Sequence, residues 1–182
     1  RLPVHDPPPV REVHRENRIQ IHDGELNMDR KEAVERAVGY MDQGFLCVEA
    51  VFRTLADMHD TDSDLIPKVA SGLAAGIART SHICGAVSGA ILGLGLWFGR
   101  NEPVEGDRKP YWYSRRFICS WLDLYPETTC TLLLEVDLDN PEGMATFEAE
   151  NMWAKKCKEY IRDAVGLAYD LLVREGVYSV GA

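Results

Sequence analysis

The chain contains no C-x-x-C pair, which excludes the zinc-ribbon and thioredoxin-type readings of its cysteines. It also lacks C-x-x-C-H, so no haem of the c type is attached to it. No H-E-x-x-H, phosphate-binding glycine loop, Ser–His–Asp order or paired-carboxylate motif occurs, and hydrolase and kinase chemistry therefore has no starting point. Long runs of Lys and Arg are missing, and the formal net charge is −9. A field of that sign attracts neither nucleic acid nor an anionic lipid surface. Five cysteines in 182 residues are too sparse, and odd in number, for a secreted disulfide scaffold. No strand pattern, internal repeat or low-complexity stretch is visible.

What is present reads as one mainly helical domain, with 46% hydrophobic and 27% charged residues. Residues 1–27 form an extended arm, because Pro3, Pro7, Pro8 and Pro9 forbid a regular helix. Residues 28–182 form the helical domain. Between Arg79 and Arg100 lie twenty residues without a formal charge, about the length of a membrane span. Thr80, Ser81 and His82 open that stretch and glycine fills a quarter of it, so a buried core helix is the preferred reading and no membrane span is expected. The chain starts at Arg1 rather than Met, as a trimmed chain, a processed product or a fragment would. A cytoplasmic location is the expectation and an exported form the alternative.

The predicted architecture is all-α, a compact bundle of about five to seven helices with glycine-ridged central helices. Asn27 or Asp29 caps a first helix that Gly44 ends. Phe45, Val48, Phe52 and Leu55 form one apolar stripe of a second helix, with Cys47 at its edge. After the loop His59–Asp64, Pro67 opens a helix that holds Val69, Leu73 and Ile77 and ends around Ala78. Gly85, Gly89 and Gly93 fall on one side of the next helix. Each glycine costs up to about 1 kcal/mol relative to alanine there, so close approach of another helix or of a cofactor must offset them. Tyr111, Trp112, Phe117, Ile118, Trp121 and Leu122 give an aromatic helix interrupted at Pro126. A short helix through Cys130, Leu133 and Leu134 precedes the loop DLDNPEG. The last helix carries Trp153, Cys157, Ile161, Ala164, Ala168 and Leu171 on one stripe, with Lys155, Lys158, Glu159, Arg162 and Asp163 facing water.

A cysteine taken singly is core filling. Cys47, Cys84 and Cys157 all lie on or beside inward helical faces, however, and Cys130 follows a proline-broken turn. If the fold gathers them, such thiols either bind a soft metal or an iron–sulfur cluster, or cycle between dithiol and disulfide. His82, two residues before Cys84, is a candidate fourth ligand or pKa-lowering neighbour; the plainer reading is a helix-start histidine bonded to backbone. Arg79 is a candidate cation beside the cysteine helix, or the partner of an acidic residue.

The segment SGLAAGIARTSHICGAVSGAILGLGL, with GFLCVEAVF before it and TTCTLL and KKCKEYIRDAVGLAYDLL after it, resembles the C_GCAxxG_C_C family of redox-active proteins, over about residues 28–175. A related domain accompanies the haem domains of split-Soret cytochromes and carries an iron–sulfur centre. The family pattern falls on Cys47, Cys84, Cys130 and Cys157, and Cys119 lies outside it and is assigned to packing. One departure stands out: the pattern has glycine before its second cysteine, where this chain has Ile83, with Gly85 following. The resemblance implies a redox protein in which these four cysteines hold an iron–sulfur or other metal-thiolate centre for electron transfer, without haem. A metal-free dithiol/disulfide protein and a non-catalytic interaction subunit are the alternatives. A redox partner protein and a homodimer are the expected associations.

Overall fold

The computed structural model describes residues 28–103 and 109–179, so the expected N-terminal arm lies outside the described residues. Among them the fold is all-α: α1 (Arg30–Asp42), α2 (Cys47–Met58), the single turn α3 (Ala74–Ile77), α4 (Gly85–Phe98), α5 (Lys109–Leu124), α6 (Cys130–Leu134), α7 (Pro141–Ala149) and α8 (Lys158–Arg174). No described helix is long and apolar enough to cross a membrane.

Local chemistry sets the boundaries. The Asp29 side chain accepts the Glu32 amide at 2.8 Å and caps α1. Gly44, at φ +97°, turns the chain from α1 into α2. Asn140 caps α7 by accepting the Gly143 amide, with Pro141 at the first helical position. This helix starts inside the segment DLDNPEG, where the sequence reading places a loop. The Asn-Pro-Glu order was its signal.

Helix α8 lies at the centre and packs on α1, α2, α4 and α5. Its residues Ile161, Ala164, Val165, Ala168 and Leu172 are fully buried. Tyr113, Phe117 and Trp121 bring one face of α5 into the same core, whereas Tyr111 and Leu122 of that helix are exposed. The ends of the bundle are tied by Arg30 to Asp170 at 2.8 Å, by Lys158 to Asp42, and by the Tyr178 hydroxyl donating to the Met28 carbonyl.

The glycine ridge of α4 faces α2. A Cβ on Gly89 would stand 2.7 Å from the Val48 carbonyl oxygen, and one on Gly93 would stand 2.3 Å from a Leu55 methyl. The ridge therefore exists for helix packing, and the apolar surface buried between the two helices offsets the glycine cost.

Residues 68–79 depart from the expected helix. A 3-10 segment, Lys68–Leu73, gives way to five successive residues at positive φ, Ala75 to Arg79. They form one left-handed turn. Val69 and Ile77 are exposed. Gly72 and Gly76 weaken a right-handed helix, and the turn is held from outside: the His82 amide donates to the Gly76 carbonyl at 2.9 Å, and the Thr80 hydroxyl to the Ile77 carbonyl at 2.7 Å. Left-handed backbone costs an L-residue roughly 1–2 kcal/mol. Ala78 has φ 53° and an exposed side chain, so its methyl contributes little packing. Ala78→Gly is expected to stabilise the protein by about 0.5–1 kcal/mol, the strain relief being partly offset by glycine's larger unfolded-state freedom. Thermal unfolding reads this as a rise of about 1–4 °C; an unchanged or lower midpoint contradicts it.

Candidate functional site

Four separate elements deliver one cysteine each to a common place. Cys47 is the first residue of α2 and Cys84 immediately precedes α4. Cys130 is the first residue of α6, and Cys157 ends a π-helical turn, Trp153–Cys157, that leads into α8. In this turn the Lys158 amide reaches back to the Trp153 carbonyl, the i to i+5 pattern that widens a helix and re-aims its side chains.

Backbone pairing joins two of these elements. The Cys84 amide donates to the Thr128 carbonyl at 2.8 Å, and the Cys130 amide to the His82 carbonyl at 2.6 Å, around a single bridge between Ile83 and Thr129. Ser81 extends the clasp: its hydroxyl accepts the Leu138 amide at 2.8 Å, and its carbonyl accepts the Thr131 hydroxyl at 3.1 Å. Cys84 and Cys130 are thereby fixed as neighbours although 46 residues separate them in sequence.

Two glycines permit the close approach. A Cβ on Gly85 would stand 2.2 Å from the Cys47 sulfur, so that sulfur lies against bare backbone at the start of α4. Gly76, at φ +71°, sits where a Cβ would meet Cys130 Cβ at 2.8 Å and the His82 nitrogen at 2.7 Å.

The result is a cavity of about 30 Å³ lined by all four thiols. The rest of the lining is Ala75, Gly85, Ala86, Leu133, Leu134, Leu138, Phe147, Trp153 and Tyr160. That volume holds about one or two water-sized bodies. Among the described residues no Lys, Arg or His belongs to the lining. The Tyr160 hydroxyl is already engaged, donating to the Leu133 carbonyl at 2.7 Å. His82 is exposed and does not line the cavity, and neither does Arg79. Cys119 lies half-buried on α5, away from the lining. The left-handed turn, Phe147 and Tyr160 were not singled out from sequence. Tyr160 follows Cys157 by three residues, the spacing that puts both on one helical face.

Electrostatics follow from that lining. Burial pushes the Cys47, Cys84 and Cys157 thiols well above the ordinary value, and Cys130 up to about 12. Negative charge on neighbouring sulfurs adds to this: Cys47 and Cys130 act on Cys84, and Cys47, Cys84 and Cys130 all act on Cys157. Backbone amides oppose it. Those of Ala75 and Val48 favour charge on the Cys47 sulfur, and those of Ala86 and Val87 favour it on Cys84. The strained turn thus presents an amide, from Ala75, to a sulfur.

Such a donor set suits a soft metal, which takes thiolate ligands and displaces their protons. The sulfurs are not prearranged as a cage: among the described residues no group of three or more His, Cys, Asp and Glu side chains stands in ligand geometry. The chemistry of the lining fits a thiolate centre, and any guest larger than an ion or two requires the walls to part.

A family model described as "Putative redox-active protein (C_GCAxxG_C_C)" matches residues 45–171, a span that includes every lining residue. No curated protein and no solved structure matches the chain.

Gly85→Ala is expected to destabilise the protein by about 1–3 kcal/mol, since the added methyl would overlap the buried Cys47 sulfur at 2.2 Å with the Val48 amide nitrogen at 3.3 Å, and the sulfur must leave its place in the cavity; an unchanged denaturation midpoint contradicts this. The raised thiol pKa values also set an alkaline limit. Burial favours the neutral thiol, so the associated stability is complete below the unfolded value, 9.0, and is lost as pH climbs through the folded value, about 12 at Cys130. Denaturant midpoints of the metal-free protein are expected to fall between those two pH values, and less steeply in Cys130→Ala. Equal slopes would contradict the assignment.

Proposed function

Because the chain belongs to the C_GCAxxG_C_C family, a family of redox-active proteins, we propose that it transfers electrons through a thiolate-ligated metal centre, an iron–sulfur cluster in the first instance, held by Cys47, Cys84, Cys130 and Cys157. The observation that carries this reading is the convergence of four thiols on one apolar cavity to which the described residues bring no cation. Thiolates collected there repel one another, and only a positive guest balances them. When bound, a cluster supplies one-electron chemistry near neutral pH. The protein's part is to hold the sulfurs, aim amides at Cys47 and Cys84, and keep water away. Amide bonds to the sulfurs and exclusion of solvent are the levers that set a cluster's potential.

Metal-free dithiol exchange is the weaker reading on the same numbers. Raising a thiol from 9.0 to about 12 cuts its thiolate fraction about a thousandfold at neutral pH. The gain in nucleophilicity recovers only about twentyfold, leaving attack roughly fiftyfold slower than by an ordinary thiol.

Anaerobic purification followed by reconstitution with iron and sulfide tests the proposal. The expected product is coloured, contains iron, and bleaches with dithionite. Serine at any of Cys47, Cys84, Cys130 or Cys157 is expected to lower iron content, whereas Cys119→Ser retains it. A colourless, iron-free protein after reconstitution sinks the proposal.

A further inference from the structure

Three electron-rich rings form a contact chain that begins at the thiol cavity. Tyr160 lines the cavity. Its ring centroid is 5.1 Å from that of Tyr125, edge to face, and 6.1 Å from that of Trp121. Tyr125 and Trp121 are themselves 4.7 Å apart. Tyr160 and Trp121 are buried, and Tyr125 is half-buried, so the chain runs from the thiols outward.

The polar ends of these rings differ in one respect. Tyr160 donates to the Leu133 carbonyl, and Trp121 Nε1 donates to the Glu127 carbonyl at 2.7 Å. A peptide carbonyl is too weak a base to take either proton. Tyr125 donates instead to the Asp163 carboxylate. An oxidised phenol is a strong acid, and its oxidation becomes accessible when a base already holds its proton in a hydrogen bond. Of the three rings, Tyr125 alone has that arrangement. Burial, then Asp163, holds the Tyr125 phenol above its ordinary pKa, so the ring is neutral and keeps its proton until an electron leaves.

We propose that Tyr125 and Asp163 form a proton-coupled redox site through which single electrons pass between the thiol cavity and an acceptor at the protein surface. The link to the cavity rests on the redox reading given above. A strong one-electron oxidant takes one electron from the Tyr125 ring, and the phenolic proton moves to an Asp163 oxygen. A neutral tyrosyl radical and a carboxylic acid remain. One electron from the reduced thiolate-ligated centre of the reading above, passing across Tyr160, refills the radical and leaves that centre oxidised by one electron, and the proton returns from Asp163 to the phenol. The net change is one electron moved from the cavity to the oxidant, with Tyr125 and Asp163 restored.

Flash oxidation of the full chain by photogenerated ruthenium(III) tris-bipyridine, read by transient absorption and electron paramagnetic resonance, tests this. A tyrosyl radical is expected in the unmodified protein and is lost in Tyr125→Phe. Asp163→Asn, which keeps an acceptor oxygen but removes the base, is expected to slow radical formation at least about tenfold, and Asp163→Glu to restore it. In iron-reconstituted, dithionite-reduced protein, Tyr160→Phe is expected to leave formation intact and prolong the radical, because refilling from the cavity is interrupted. Thermal melting confirms that each variant is folded. A radical that persists in Tyr125→Phe, forms equally fast in Asp163→Asn, or decays equally fast in Tyr160→Phe overturns the proposal. The formation arms are read on metal-free protein, so a cavity that binds no metal is told apart from a Tyr125 that is not redox-active.

Discussion

Everything at this site follows from taking four thiols out of water. A thiol is small and weakly polar, and in its neutral form it packs as a hydrophobe. Its conjugate base in an apolar cavity is costly, and four of them together are more so. The protein can therefore fold around neutral Cys47, Cys84, Cys130 and Cys157 with little penalty, yet it cannot charge them without outside help. Amides at the starts of α2 and α4, and the one from Ala75, supply part of that help. The remainder must come from a guest carrying positive charge.

The close approaches explain two features that would otherwise look like defects. Three glycines in one helix are unfavourable by propensity, but Gly89 and Gly93 let α2 lie against α4, and Gly85 makes room for the Cys47 sulfur. The left-handed turn at Ala75 to Arg79 is unfavourable by backbone energetics. It reverses the chain fast enough to set the Ala75 amide on Cys47 while Gly76 admits Cys130. Strain of this kind persists where surrounding contacts over-determine it. Here the clasp between residues 81–84 and 128–131 does so, and the same clasp pins two of the four cysteines.

Much of this was legible in the sequence, because helical periodicity reports burial directly. The α2 stripe Val48, Phe52 and Leu55, the α4 glycine ridge and the α8 stripe from Ile161 to Leu171 all lie where the spacing puts them. Cysteine order and the glycines around Cys84 pointed to the family whose model matches residues 45–171. What escaped was set by tertiary contact. Val69, Leu73 and Ile77 have helical spacing, yet the backbone is 3-10 over Lys68–Leu73 and reversed in hand at residues 75–79, and Val69 and Ile77 are exposed. The π-helical turn before α8 has no signature in residue spacing, so the aim of Cys157 was invisible. Phe147 and Tyr160 reach the cavity only because α7 and α8 close over it.

The cavity's two sides are built differently, and that difference bears on how it receives a guest. On one side α2 and α4 touch through glycine backbone, with hypothetical Cβ clashes at 2.2–2.9 Å that leave no slack for sliding. The other side is made of short pieces: the five-residue α6, the single bridge at Ile83 and Thr129, and the π-helical turn. These are held by a handful of hydrogen bonds rather than by interlocked helix faces. A guest exceeding the present 30 Å³ would be accommodated there by displacement of Cys157, because the backbone clasp holds Cys130 beside Cys84. Tyr160 sits on the yielding side, and its hydroxyl is tied to the Leu133 carbonyl of α6. Filling the cavity therefore acts directly on the first ring of the chain that leads outward to Tyr125.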